Sequence, residues 1–160
     1  MNRELYIAGG CFWGVQEYYS RVSGVKETIS GYANGYKENP TYQEVCTGDT
    51  GYVETVKIVY NSDEVTLKEL IERFFMIVDP TQLNRQANDI GSQYRNGIYY
   101  IYEEDEAIIM DVIESKRPEY QKEIVTEVEK LDNFYSAEEY HQNYLKKNPG
   151  GYCHINFDTL

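Results

Sequence analysis

Leu5-Tyr6-Ile7-Ala8-Gly9-Gly10-Cys11-Phe12-Trp13-Gly14-Val15 decides how this chain is read. Four apolar residues are enough for a short buried strand. The glycine pair ends it, and a helical pattern follows from about Cys11 to Val22. Outward from this unit, Val25 to Ala33 alternates as a strand, and Tyr52 to Tyr60 is the clearest strand in the chain. Thr66-x-x-Glu69 opens a helix through Val78, where Asp79-Pro80 stops it. Gly97 to Tyr102 reads as strand, Glu104 to Arg117 as helix ending before Pro118, and Ile124 to Val128 as strand. Ser136-x-x-Glu139 is expected to cap a last helix, and Asn148-Pro149-Gly150-Gly151 to begin a flexible tail. Strands interleaved with helices predict an α/β or α+β two-layer sandwich. Residues 34–51 and 81–96 read as long polar loops meeting above one sheet edge, and loops on a rigid scaffold are where chemistry concentrates.

Composition narrows the function classes. At 160 residues, one domain spanning 1–160 is expected, with about 148–160 as its mobile tail. With 27 acidic and 15 basic residues the formal charge is −12, which repels phosphate backbones and argues against nucleic acid as a partner. No apolar run approaches the roughly 20 residues that a spanning helix needs, so no membrane is expected. The first residues lack the basic and apolar regions of a secretory signal. Three cysteines, Cys11, Cys46 and Cys153, form neither a disulfide framework nor a C-x-x-C pair. A reducing cytoplasm fits that usage. No phosphate loop or dinucleotide fingerprint is present, and two histidines, His141 and His154, make no metal site. No cofactor or metal is therefore expected.

Cys11 follows a strand and a Gly-Gly turn and opens a helix. The N-terminal dipole and free N–H groups there favour a thiolate. Cysteine also serves as a small buried hydrophobe, and spacing alone leaves both readings open. Phe12 and Trp13 supply either core packing or an apolar wall beside the thiol. Glu54 shares a strand face with Val56, Ile58 and Tyr60. Burial there would raise its pKa and keep a general acid protonated; the alternative is a strand-end carboxylate in solvent. Tyr42, Asp89 and Tyr94 lie in the two polar loops, where tyrosine hydroxyls can donate to a developing oxyanion or simply sit at the surface.

Taken together, the strings resemble the peptide methionine sulfoxide reductase A family. They are Gly10-Cys11-Phe12-Trp13-Gly14, then Asn39-Pro40-Thr41-Tyr42-x-x-Val45-Cys46-Thr47-Gly48, then Asp79-Pro80-Thr81-Gln82-x-Asn84-Arg85-Gln86-x-Asn88-Asp89-x-Gly91-x-Gln93-Tyr94-Arg95, and finally Tyr140-His141-Gln142-x-Tyr144-Leu145. The resemblance implies ferredoxin-like topology with a mixed sheet and reduction of methionine S-sulfoxide, free or in proteins. It implies Cys11 as the nucleophile that becomes a sulfenic acid, Phe12 and Trp13 as the pocket for the substrate's S-methyl group, and Glu54 as the acid. Tyr42, Asp89 and Tyr94 would be its hydrogen-bonding companions, Cys153 the resolving cysteine, and thioredoxin the reductant of the resulting disulfide. A monomer is expected, and Cys46 is assigned to packing. Two positions depart from the family pattern: Tyr52-Val53 replaces a usual His-Ala, and Ala87 a usual glycine. The rival class is a cysteine-based redox sensor or binding module without turnover, which needs the thiol but neither the wall nor the acid.

Overall fold

The computed structural model describes residues 1–151 and 153–160; Tyr152 of the tail string lies outside the described residues. The elements in chain order are β1 (Asn2–Gly9), α1 (Phe12–Ser20), β2 (Val25–Ala33), α2 (Tyr42–Cys46), β3 (Val53–Asn61), α3 (Leu67–Ile77), β4 (Arg85–Gln86), β5 (Asp89–Ile90), β6 (Asn96–Tyr100), α4 (Glu103–Lys116), β7 (Glu127–Lys130), β8 (Phe134–Ser136) and α5 (Tyr144–Lys147). Six strands make one mixed sheet in the order β7-β6-β1-β3-β2-β8. Its central four, β6-β1-β3-β2, are antiparallel neighbours. Linked through α1 and α3 they trace the ferredoxin-like β-α-β-β-α-β path. β7 adds a parallel edge beside β6, and β8 an antiparallel edge beside β2.

β1 reads as a continuous apolar run because both of its faces are covered. Leu5 and Ile7 face the main core with Val15, Leu70 and Phe74, whereas Tyr6 and Ala8 join a smaller cluster with Val53 and Tyr99. Tyrosine takes much of the core, and its hydroxyls find partners at the core's edge, as large amphipathic rings must when buried. Tyr19 donates to the Leu70 carbonyl at 2.9 Å and Tyr32 to Glu138 at 2.8 Å. The 17 tyrosines are thus partly a packing choice.

Two expected elements need correction. The stretch 34–51 is not all loop. Thr41 Oγ1 accepts from the Glu44 N–H while Glu44 Oε1 accepts from the Thr41 N–H, and this complete capping box starts α2. Ser136 does not cap a helix, because its backbone pairs with Gly31 at the sheet edge. A 3₁₀ turn over Glu139–His141 follows, and α5 begins only after Asn143. The chain beyond Asn148 runs along α1. Ile155 is buried, the Tyr18 and Thr159 hydroxyls lie 3.0 Å apart, and the Arg21 guanidinium covers the Phe157 ring.

Ala87 has φ +51, a left-handed conformation in which a Cβ meets the following carbonyl. This explains why glycine is usual there and yields a prediction. Ala87→Gly should stabilise the fold by about 0.5–1 kcal/mol, the relief of strain less the extra flexibility of the unfolded chain. A denaturant midpoint unchanged or lowered would show that the conformation carries no strain.

Candidate active site

The site is built where β1 hands over to α1. Gly10 turns the chain at φ +86, open to glycine without a Cβ clash. Cys11 follows as the N-cap of α1, half-buried and without a side-chain cap bond. The first helical N–H groups have no intrahelical acceptor, and that of Phe12 donates to Glu54 Oε1 at 3.1 Å. Glu54 stands near the start of β3, opposite Tyr32 on β2. It is 1% exposed, so it does not reach solvent, and its Oε2 has no partner. Burial pushes its pKa up to about 8, the Phe12 N–H pulling down and the nearby Asp89 charge adding to the rise. Glu54 therefore holds its proton at neutral pH.

The helix start does not act on Cys11 as expected. Burial pushes the Cys11 thiol pKa up and the Glu54 charge adds to this, outweighing the favourable Trp13 N–H. The Phe12 N–H is spent on the carboxyl, and burial beside Glu54 leaves the thiol in a dry, acidic neighbourhood. The structure brings the remaining expected residues to the same place. Burial and the Glu54 charge raise the pKa of both the Tyr42 and Tyr94 hydroxyls, so each stays a hydrogen-bond donor. Tyr94 also senses Asp89 and Cys11. Asp89 is half-buried with an unpartnered Oδ2, and burial raises its pKa. Tyr42 is anchored by its own N–H, which donates to Glu138 at 3.0 Å; Glu138 also accepts from Tyr32. The Asp89 loop is braced by Gln86, whose amide exchanges hydrogen bonds with the Asp79 backbone at 3.1 and 2.7 Å.

Phe12 and Trp13 form an aromatic wall with partners that sequence reasoning left without a role. The Phe12 ring lies 5.3 Å from His141, 5.7 Å from Tyr32 and 6.4 Å from Tyr42. Trp13 stacks on Tyr144 at 3.8 Å, and its Nε1–H donates to His141 Nδ1 at 3.0 Å. An indole N–H only donates, so His141 carries its proton on Nε2, which is buried and unpartnered. Burial lowers the His141 pKa and keeps the ring neutral. The string holding His141 and Tyr144 was visible in the sequence, but nothing in it pointed to Trp13.

All three cysteines are free thiols. Cys153 is half-buried against Gly14 of α1. Cys46 is exposed at the end of α2, which corrects its assignment to packing: among the buried residues α2 offers the core only Val45. Among the described residues no helix is long and apolar enough to cross a membrane.

A thiol at a helix start, a protonated carboxyl on the adjoining N–H and an aromatic wall are the parts of a thiol oxidoreductase on a ferredoxin-like sheet. The family model described as peptide methionine sulfoxide reductase matches residues 3–160, and the chain belongs to that family. It is similar to the peptide methionine sulfoxide reductase MsrA of Clostridium botulinum (strain Okra / Type B1), 56% identical over 98% of this chain and 99% of that one. Among solved structures it is similar to Mxr1 from Saccharomyces cerevisiae in reduced form, with TM-score 0.93 and 38% identity over 97% of this chain and 91% of that chain. It is also similar to Mxr1 in complex with Trx2, with TM-score 0.65 and 28% identity over 89% and 84% of the two chains.

Proposed function

We propose that this protein reduces methionine S-sulfoxide, free or in proteins, through Cys11. The observation that carries the reading is Glu54, buried, protonated near neutral pH and fixed to the N–H of the residue after Cys11. A sulfoxide sulfur becomes electrophilic once its oxygen accepts a proton, so a thiol and an acid must flank the same point. Glu54 donates to the sulfoxide oxygen, with Tyr42, Tyr94 and Asp89 as hydrogen-bonding companions. Phe12 and Trp13 receive the S-methyl group. Cys11 sulfur attacks, and the oxygen passes to it. The substrate sulfur gains two electrons and leaves as the thioether, Cys11 loses two and becomes a sulfenic acid whose S–O–H keeps the proton that Glu54 gave, and the thiol proton passes to Glu54. Glu54 ends the step protonated again.

Cys153 then resolves the sulfenic acid to an intramolecular disulfide, and a thioredoxin returns both thiols by exchange. The relative held in complex with Trx2 supports that reductant. The protein works as a monomer in the reducing cytoplasm, a compartment that suits three free cysteines. A sensor without turnover would need neither a buried acid nor an aromatic wall. The separated sulfoxide epimers, each with dithiothreitol, test the reading: methionine should be released catalytically from the S form and not from the R form. Release from neither epimer, with Cys11 still oxidisable by peroxide, would favour the sensor.

A further inference from the structure

His154 stands beside Cys153, and close enough to Asp89 that each charge shifts the other's pKa. Its Nε2 lies 3.1 Å from the Gly9 carbonyl oxygen, which can only accept, so Nε2 carries the proton and donates. Its Nδ1 is buried and unpartnered. The ring lies flush on the turn before Cys11, its Cε1 only 3.0 Å from where a Cβ on Gly10 would stand. The next contact of the tail is with α1. A Cβ on Gly14 would stand 2.6 Å from Cys153 Sγ and 3.1 Å from Ile155 Cδ1. Gly14 is the third residue of α1, in the turn that the N-cap Cys11 opens. The tail thus rests on two glycines that bracket Cys11, and the Cys153 thiol is near enough to push the Cys11 pKa up.

We propose that His154 is a positioning residue for the resolving step: its bond to Gly9 and its seat on Gly10 set the register that lays the Cys153 sulfur over Gly14, within a helical turn of Cys11. The inference rests on the reading of Cys153 as the resolving cysteine. In that step the Cys153 sulfur forms a bond to the Cys11 sulfur and the Cys11 S–O bond breaks. The hydroxyl leaves with the Cys153 thiol proton as water. The oxygen gained from the sulfoxide is the only oxidant, so no further reagent is consumed. Proximity governs such a reaction, because a displacement of about 1 Å can cost about 10²-fold in rate.

The test is a single turnover on methionine S-sulfoxide without reductant. Methionine release is followed beside disulfide formation, read by intact mass and by dimedone capture of the sulfenic acid. For His154→Ala, the first equivalent of methionine should appear within about twofold of the wild-type rate, whereas disulfide formation slows by about tenfold or more and the sulfenic acid becomes trappable. Normal methionine release also reports an intact fold. His154→Gln, whose amide nitrogen can reach the Gly9 carbonyl, should recover most of the loss. General loosening of the tail would not be rescued in this way. Disulfide formation within about threefold of wild type in His154→Ala overturns the inference, and so does a His154→Gln enzyme as slow as His154→Ala. Cys153→Ser, run in parallel, separates the two layers. It should release about one equivalent and stall with thioredoxin, because the first step never needs Cys153. Full turnover of Cys153→Ser with thioredoxin, and no disulfide in the wild type, would bring down the resolving role and this inference with it. A stalled Cys153→Ser beside an unimpaired His154→Ala would bring down the inference alone.

Discussion

Cys11→Ser should release no methionine from either sulfoxide epimer, with any reductant and at any enzyme concentration. The loss is expected to be complete because the step is an oxygen transfer to sulfur. Sulfur can hold the oxygen as a sulfenic acid, whereas a serine hydroxyl would have to form an oxygen–oxygen bond to do the same. The site also withholds help from a weaker nucleophile: burial and Glu54 already oppose ionisation of the thiol, and a hydroxyl ionises far less readily. Unfolding would not account for the loss. Cys11 is the N-cap of α1 and makes no side-chain cap bond. Serine is among the preferred residues there, so the variant should keep its stability or gain up to about 1 kcal/mol. The check is chromatographic methionine after long incubation of a variant whose denaturant midpoint has been measured. A single equivalent of methionine from that variant would move the nucleophile to another thiol, and Cys153, seated against Gly14 of α1, would be the one to examine.

What the sequence disclosed follows from how local each signal is. β2 has the ends that its alternation predicts, and α3 begins where Thr66 caps it, because period and caps are written in adjacent residues. The row headed by Glu54 was legible for the same reason. Its consequence was not, since the donor that fixes Glu54 comes from Phe12, 42 positions away. The expectation for Cys11 was reversed by the same tertiary packing: the Trp13 N–H at the helix start does favour the thiolate, but burial and the Glu54 charge outweigh it. The wall partners His141 and Tyr144 reach Trp13 through tertiary packing that no periodicity encodes. α2 is a different failure. Its capping box was present in the letters, but the Gly- and Asn-rich surroundings outweighed four residues of pattern. Ser136-x-x-Glu139 is the converse, a capping signature overridden because the sheet edge claims the serine backbone. Sequence also put a nucleophile and a possible resolving cysteine at opposite ends of the chain; the two-glycine seat that joins them exists only once α1 is folded.

Glu54→Gln tests the acid with the fold left in place. The amide has the size of the carboxyl, and its oxygen can still accept from the Phe12 N–H, so geometry is preserved while the transferable proton is lost. The single-turnover rate of methionine release should fall by about 10²–10⁴-fold, the usual worth of general acid catalysis. The pH profile adds a sign. Glu54 must be protonated to act and its pKa is raised to about 8, so the wild-type chemical step should decline as pH rises through about 8. The variant's residual rate should lack that limb. It should keep any rise due to ionisation of Cys11, although Asp89, Tyr42 and Tyr94 share the pocket and shape the same profile. Wild-type stability should also decline with rising pH, so at high pH the variant should be less active yet more stable than wild type. An unfolded glutamate titrates near 4.3, far below the folded value, so between the two pH values the unfolded chain binds fewer protons than the native one. Wild-type stability should therefore be intact below about 4.3, fall as pH rises, and level off once Glu54 has ionised above about 8. Glutamine has no proton to lose, so the variant should be the more stable of the two at pH 9 and the margin should vanish by pH 4. Denaturant midpoints at those two pH values, beside the rates, read both effects from one pair of proteins. A variant within about threefold of wild type in rate would remove Glu54 from the chemistry. A margin that does not grow with pH would mean the carboxyl is already ionised in the fold, and the proton for the sulfoxide oxygen would then have to come from Tyr42 or Tyr94.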